Sequence, residues 1–150
     1  MTNIRELFVY QKIKQIILGF LIMNKALVVD DSLMMREVFG IYLQNAGFSV
    51  EKVRSVEEAQ QTMTNYQPNL IILDVVMGGK SGFEFCLQLK KSKQTCSIPV
   101  IICSTKATQA DLMLGDIIGA DAYLAKTVPQ AEFISKAQQL SQQPAVCRLV

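Results

Sequence analysis

Asn69-Leu-Ile-Ile-Leu-Asp74-Val-Val-Met77 runs four apolar residues straight into a single carboxylate. A short continuous apolar run reads as a strand buried on both faces, the kind found in parallel sheets. Pro68 and Asn69 open the run, and Gly78-Gly79 break the chain after it. Asp74 therefore stands where a central strand ends. In open α/β sheets, sites form outside the carboxyl ends of the strands. A lone strand-end Asp can equally be a turn or helix cap. The residues that end the other strands decide between the two.

From Ala26 the chain alternates strand and helix five times. The predicted strands are Ala26–Asp30, Phe48–Val53, Asn69–Asp74, Pro99–Cys103 and Ala122–Ala125. Helical segments are predicted near 33–45, 56–66, 82–92, 107–118 and 129–141. Ser55-Val-Glu-Glu58 and Ser81-Gly-Phe-Glu84 fit the reciprocal capping box. Pro129 suits a helix's first turn, and Gly47 and Gly119 suit C-terminal stops. Met34, Val38 and Ile41 recur on one helical face, as do Phe133, Ala137 and Leu140. Such alternation implies an α/β fold, a parallel sheet with helices on both faces.

The first strand ends in Asp30-Asp31 and the third in Asp74. If these strands are neighbours, three carboxylates meet at one sheet edge. Like charges at close range repel, so the cluster calls for a cation. Oxygen-only donors suit Mg²⁺. A helix cap near Ser32 would explain one Asp, but neither the second nor Asp74. The fourth strand brings Ser104 to the same edge, and the fifth brings Lys126. Asp74 can then act as a nucleophile toward phosphorus. Mg²⁺, the Ser104 hydroxyl and the Lys126 ammonium can each hold developing phosphoryl charge.

Leu27-Val-Val-Asp-Asp31-Ser, Leu73-Asp74-Val-Val-Met77, Gly82-Phe-Glu84, Pro99-Val-Ile-Ile-Cys-Ser104 and Gly119-Ala-Asp-Ala-Tyr-Leu-Ala-Lys126 resemble the receiver domain of two-component response regulators. The resemblance covers about residues 24–142. It implies a flavodoxin-like five-stranded parallel sheet in the order 2-1-3-4-5. It further implies Asp74 as phosphoacceptor and Asp31 as a direct Mg²⁺ ligand. Asp30 would support the metal largely through water, and the Val76 main-chain carbonyl would complete the protein's share. Ser104 and Tyr123 would report phosphorylation. Two departures stand out. Gly78 replaces the family's usual Pro, and Thr127-Val128 separate Lys126 from Pro129, where the family has Pro directly after its Lys. Val76, two positions after the acceptor, cannot hydrogen-bond an attacking water through its side chain, so slow autodephosphorylation is expected.

The resemblance points to a signalling module, not an enzyme beyond promoting its own phosphorylation and dephosphorylation. The expected partners are a histidine kinase or phosphotransfer protein and a downstream protein target. Two alternatives remain. One is an aspartate-nucleophile phosphohydrolase, whose usual second Asp is replaced here by Val76. The other is a receiver-like scaffold that never takes phosphate.

At 150 residues the chain can bury the core of one domain. Its net charge is +2, all of it in residues 1–22, where Arg5, Lys12 and Lys14 face Glu6. No basic footprint of a nucleic-acid binder is present. Cys86, Cys96, Cys103 and Cys147 form no CxxC pair. Reduced thiols and a cytoplasmic location are the expectation. Residues 16–22 are apolar but too short to span a membrane. Residues 1–22 read either as an upstream extension before a start at Met23, or as an amphipathic helix packing on the body or a partner. Residues 23–143 form the receiver unit. Residues 144–150 form a short tail with no linker or effector domain, so a stand-alone receiver is expected.

The segment 107–118 carries Leu112, Met113, Leu114, Ile117 and Ile118. A surface helix buries one stripe, and these residues make two. In the resembling family the positions of Leu112, Leu114 and Ile117 are commonly polar. They are the expected partner surface beside Tyr123, for a target protein or a homodimer. The alternative is a helix more buried than usual.

Overall fold

The computed structural model describes residues 3–21, 24–78, 81–144 and 146–147. Met23, read as a start, and Gly79, half of the break after the third strand, lie outside the described residues. In chain order the elements are α1 (Ile4–Leu21), β1 (Lys25–Val29), α2 (Leu33–Asn45), β2 (Ser49–Val53), α3 (Val56–Thr62), β3 (Leu70–Leu73), α4 (Gly82–Lys91), β4 (Val100–Ser104), α5 (Gln109–Ile117), β5 (Ala122–Ala125) and α6 (Gln130–Gln142). Each strand lies within one residue of its expected span. The five strands form one parallel sheet in the order β2-β1-β3-β4-β5. This is the flavodoxin-like order expected from the resemblance.

Side chains alternate faces along a strand, so each central strand feeds two cores. Leu27, Val29, Ile71, Leu73, Val100 and Ile102 point to one face, beneath α3, α4 and Ile118. Ala26, Val28, Leu70, Ile72, Ile101 and Cys103 point to the other, beneath α2 and α6. Burial on both faces is why β3 carries an unbroken apolar run.

The α6 face is as expected, with Phe133, Ala137 and Leu140 buried. The α2 face is not. Phe39, Gly40 and Leu43 are buried, while Met34 and Ile41 are exposed. Apolar residues surround this helix, so periodicity alone could not choose a stripe. The sheet and α6 choose it: Phe39 and Leu43 join the cluster over β1, and the Phe133 ring stacks on Phe39 with centroids 4.8 Å apart.

The caps also differ in detail. The Ser55 hydroxyl accepts from the Glu58 amide, but the Glu58 carboxylate accepts from the Arg54 amide, one residue beyond the box. Ser81 makes no side-chain cap bond. A full reciprocal box forms instead at Thr108 and Asp111, starting α5. Gly47 (φ 91°) and Gly119 (φ 89°) adopt the left-handed conformation that ends α2 and α5. Pro129 is the N-cap of α6, not its first turn.

The cysteine expectation is overturned for two residues. Cys96 and Cys147 form a disulfide, and Cys86 and Cys103 are free and buried. Spacing could not reveal this pair, because 51 residues separate them in sequence and the fold sets their Cα atoms 5.0 Å apart.

Residues 4–21 are helical, yet the side chains of Ile4 through Leu18 are exposed. The helix does not pack on the body over that span. Among the described residues, no helix is long and apolar enough to cross a membrane.

The opposite end of the sheet holds a buried ion pair that sequence patterning missed. Lys90 Nζ donates to the Asp121 carboxylate and to the Ile98 carbonyl, each at 2.7 Å. Asp121 also accepts from the Val100 amide at 2.8 Å. The pair ties α4 to the starts of β4 and β5.

Candidate functional site

Register sets the site before any side chain is considered. Val29 pairs with Leu73, so Asp30 and Asp74 leave adjacent strands side by side. The Asp74 amide donates to the Val29 carbonyl at 2.9 Å, and the Asp30 amide to the Val53 carbonyl at 3.1 Å. On the other side of β3, the Lys126 amide donates to the Ser104 carbonyl at 3.0 Å, locking β5 to β4.

Each carboxylate is then pinned by its own turn. Asp30 Oδ1 accepts from the Ser32 amide at 2.9 Å, and Asp74 Oδ1 accepts from the Val76 amide at 2.9 Å. These Asx turns leave the second oxygens for Lys126. Its Nζ lies 2.6 Å from Asp30 Oδ2 and 2.8 Å from Asp74 Oδ2. Asp30 and Asp74 are each only 2% exposed, whereas Asp31 is open to solvent.

Burial is the largest influence on Asp74. It raises the carboxyl pKa above its ordinary value against the opposing pull of Lys126 and the Val76 amide. Lys126 is also raised: burial pulls its ammonium down, but bonds to Asp30 and Asp74 outweigh that.

Three carboxylates against one ammonium leave an excess of two negative charges if all are ionised. One oxygen from each of Asp30, Asp31 and Asp74 lies within 4.8 Å of the others. Asp30 Oδ2 is paired with the Lys126 ammonium at 2.6 Å, and that single cation is shared with Asp74. An all-oxygen cluster with more negative charge than its one ammonium can neutralise fits a hard divalent cation such as Mg²⁺.

Ser104 is buried at the end of β4, and its hydroxyl accepts from the Lys106 amide at 3.1 Å. The Tyr123 hydroxyl donates to the Lys106 carbonyl. Lys106 thus bridges Ser104 and Tyr123 through its backbone. Burial raises the Tyr123 phenol, and the nearby Ser104 hydroxyl offsets part of the rise.

Three contributors escaped sequence reasoning. Arg36 Nη1 donates to the carbonyls of Asp30 (2.7 Å) and Asp31 (3.0 Å), holding the acidic turn. No local motif marks it. Gly115 lies against Tyr123, where an added Cβ would come 2.8 Å from the ring. Gly82 belonged to a quoted motif, but its purpose was not visible. An added Cβ there would run into the Asp74 carbonyl oxygen and sit 2.7 Å from Val75 Cα. Gly82→Ala should therefore shift the Asp74 turn, at a cost of about 1–3 kcal/mol. Thermal unfolding together with the rate of phosphate acceptance checks this; unchanged values for both would sink it.

Helix α5 exposes Leu112, Met113, Leu114 and Ile117, while Ile118 is buried. The two-stripe reading resolves in favour of an exposed patch, on the helix that touches Tyr123.

Comparison with known proteins adds to this geometry. A family model described as the response regulator receiver domain matches residues 26–138. The phosphate regulon transcriptional regulatory protein PhoB of Pseudomonas aeruginosa is 30% identical over 110 residues, which is 73% of this chain and 48% of PhoB. The chain spans about half the length of the curated relatives it matches. The solved chemotaxis protein CheY4 of Vibrio cholerae superposes with a TM-score of 0.73 at 29% identity, covering 79% of this chain and 98% of CheY4. A signal receiver domain of a histidine kinase from Syntrophus aciditrophicus gives 0.73 at 26% identity, covering 85% and 99%.

Proposed function

Because the chain belongs to the response regulator receiver domain family of two-component signalling, we propose that it accepts a phosphoryl group from a histidine kinase or phosphotransfer protein on Asp74. The change then alters binding to a downstream protein. The observation that carries this reading is the Asp74 carboxylate, held between the Val76 amide and Lys126, with Asp30 and Asp31 beside it. Phosphorylation-dependent signalling is the family's business; the acceptor, the partners and a cytoplasmic location are the proposal.

In the transfer, a carboxylate oxygen of Asp74 forms the O–P bond as the donor's P–N bond breaks. Lys126 is positioned to pair with phosphoryl oxygens, and the Ser104 hydroxyl is available at the neighbouring strand end. Asp30, Asp31 and Asp74, with the Val76 carbonyl, would hold Mg²⁺. When bound, that ion supplies charge neutralisation for the phosphoryl group.

Phos-tag electrophoresis after incubation with acetyl phosphate tests the proposal. The expected result is a retarded band that needs Mg²⁺ and is stable enough to isolate. No band in any metal condition points to a scaffold. Continuous release of inorganic phosphate from many phosphoesters points to a hydrolase.

Phosphoryl lifetime follows from Val76. Its side chain is apolar and 43% exposed, so it holds no water in line with phosphorus. Val76→Asn should speed decay of the phosphorylated protein by about tenfold, the rate equivalent of one hydrogen bond worth about 1.4 kcal/mol. A decay rate that does not change rules the argument out.

The exposed α5 residues are the proposed partner surface, for a target protein or a second copy. Phosphorylation would reposition Ser104 and Tyr123, and Tyr123 presses on Gly115 of that helix. Gln at both Leu112 and Ile117 should weaken association by roughly tenfold or more while leaving acceptance at Asp74 intact. Analytical ultracentrifugation and pull-down measure it, and unchanged association removes the patch from consideration.

A further inference from the structure

The Cys96–Cys147 disulfide lies at the end of the sheet opposite the acidic cluster. Cys96 sits in the turns that precede β4, and the parallel strands run from there toward Asp74. Its two residues occupy different surroundings. Cys96 is buried, at 4% exposure, and Cys147 is exposed. Pro144 and Val146, just before Cys147, form part of the wall of a cleft of about 860 Å³, with Tyr66, Asn69, Thr95 and Ile98.

Little else holds this tail. Val146 is 65% exposed, and among the described residues no hydrogen bond joins 144, 146 or 147 to the body. The core does not need the bond either. Among the described residues, neither apolar cluster includes 144, 146 or 147, and a chain of this size rarely requires a staple. Among the described residues, the tail is therefore tied to the body by one covalent bond, and one of that bond's two residues is exposed to solvent.

We propose that Cys96–Cys147 is a reversible thiol–disulfide latch, which closes the tail along the cleft when oxidised and frees it when reduced by a dithiol. The chemistry follows from the exposure. A thiolate of the dithiol attacks the sulfur of Cys147, the exposed residue of the pair, and forms a mixed disulfide. The Cys96–Cys147 bond breaks, and its electron pair leaves on Cys96, which takes a proton. The dithiol's second thiol then attacks the mixed disulfide, closes its own disulfide and releases Cys147 as a thiol. The chain gains two electrons and two protons, and the dithiol loses them. An oxidised dithiol runs the sequence backward.

Both states leave the buried sulfur satisfied. Cys96 Sγ lies 3.6 Å from the Lys93 carbonyl, so the reduced thiol has an acceptor already in place. The other two cysteines are poor competitors for exchange. Burial pushes the Cys86 thiol up to about 11 and the Cys103 thiol higher still, so neither offers a thiolate at neutral pH. The inference rests on the proposed function in one respect only. A cytoplasmic receiver works where disulfides are transient and redox-sensing, not permanent.

The full chain, equilibrated in buffers of graded reduced-to-oxidised dithiothreitol, tests the latch. Samples are quenched with acid, denatured and labelled with a maleimide polymer. The expected result is a single reversible transition from two labels to four. In parallel, amide resonances of Tyr66, Asn69, Thr95 and Ile98 should differ between the end states. Cys147→Ser should give the reduced amide pattern and three labels in both buffers. Two labels in every buffer mean a permanent staple, and four in every buffer mean no bond. Cleft amides identical in the two redox states mean that the tail does not move. Any of these three results overturns the latch. The thiol count is read independently of phosphate acceptance, so failure of the latch and failure of the proposed function are distinguishable.

Discussion

Asp74→Asn is expected to abolish acceptance of phosphate from acetyl phosphate, so that the retarded Phos-tag band does not form. The amide keeps the side chain's size, and its oxygen can still accept from the Val76 amide at the 2.9 Å position. Its nitrogen has no lone pair free to attack phosphorus, and it would meet Lys126 with a donor where an acceptor stood 2.8 Å away. The expected outcome is loss of the chemistry with the fold retained. The substitution also removes one of two buried carboxylates that crowd a single ammonium, so thermal stability should hold or rise. Electrophoresis and thermal unfolding of the same preparation check both halves. A retarded band of wild-type intensity in the variant would place the acceptor elsewhere.

Lys126→Met carries the second large effect, and it reaches stability as well as chemistry. The substitution leaves Asp30 and Asp74, both 2% exposed, facing each other without a cation. Breaking a buried ion pair by removing one partner costs about 3–5 kcal/mol. The pH dependence has a definite sign. Burial already raises the Asp74 carboxyl above its ordinary 3.8, and loss of the ammonium raises it further. A carboxyl raised in the folded state contributes stability that is fully present below its unfolded value and lost as pH rises through the folded value. The variant's deficit is therefore largest near neutral pH and shrinks as pH falls toward 3.8. Urea unfolding at several pH values measures it. Added Mg²⁺ should restore part of the loss, because the ion binds the folded cluster and not the unfolded chain. A deficit that grows on acidification, or ignores Mg²⁺, would contradict the assigned electrostatics. On the proposed function, in which Lys126 pairs with the phosphoryl oxygens, acceptance of phosphate should fall by about 10²–10³-fold.

The sequence was legible wherever a local rule had one solution. Residues 70–73 are apolar without a break, so the strand had to be buried on both faces, and Asp74 had to stand at its end. The ends of the third, fourth and fifth predicted strands supplied Asp74, Ser104 and Lys126, the acidic, hydroxyl and cationic members of the site. The exposed stripe of α5 followed from an excess of apolar residues over what one core can cover. By themselves, residues 24–142 determined the α/β class, the strand order by resemblance, and the identities of the charged groups that meet.

The tertiary structure decided what local rules left degenerate. Helix α2 has apolar residues on every side, and its buried face is selected by packing on β1 and β2 and by the Phe39–Phe133 stack. Arg36 reaches the Asp30 and Asp31 carbonyls because the turn before α2 folds back on it, which no spacing rule encodes. Gly82 and Gly115 are needed because another part of the chain occupies the space a side chain would take. The Cys96–Cys147 bond joins residues 51 apart, and the Lys90–Asp121 pair joins residues 31 apart. Sequence patterns carry periodicity and short-range capping, which act over a few residues. Contacts between distant segments depend on how whole elements pack, and that is fixed only when both apolar clusters close on the sheet.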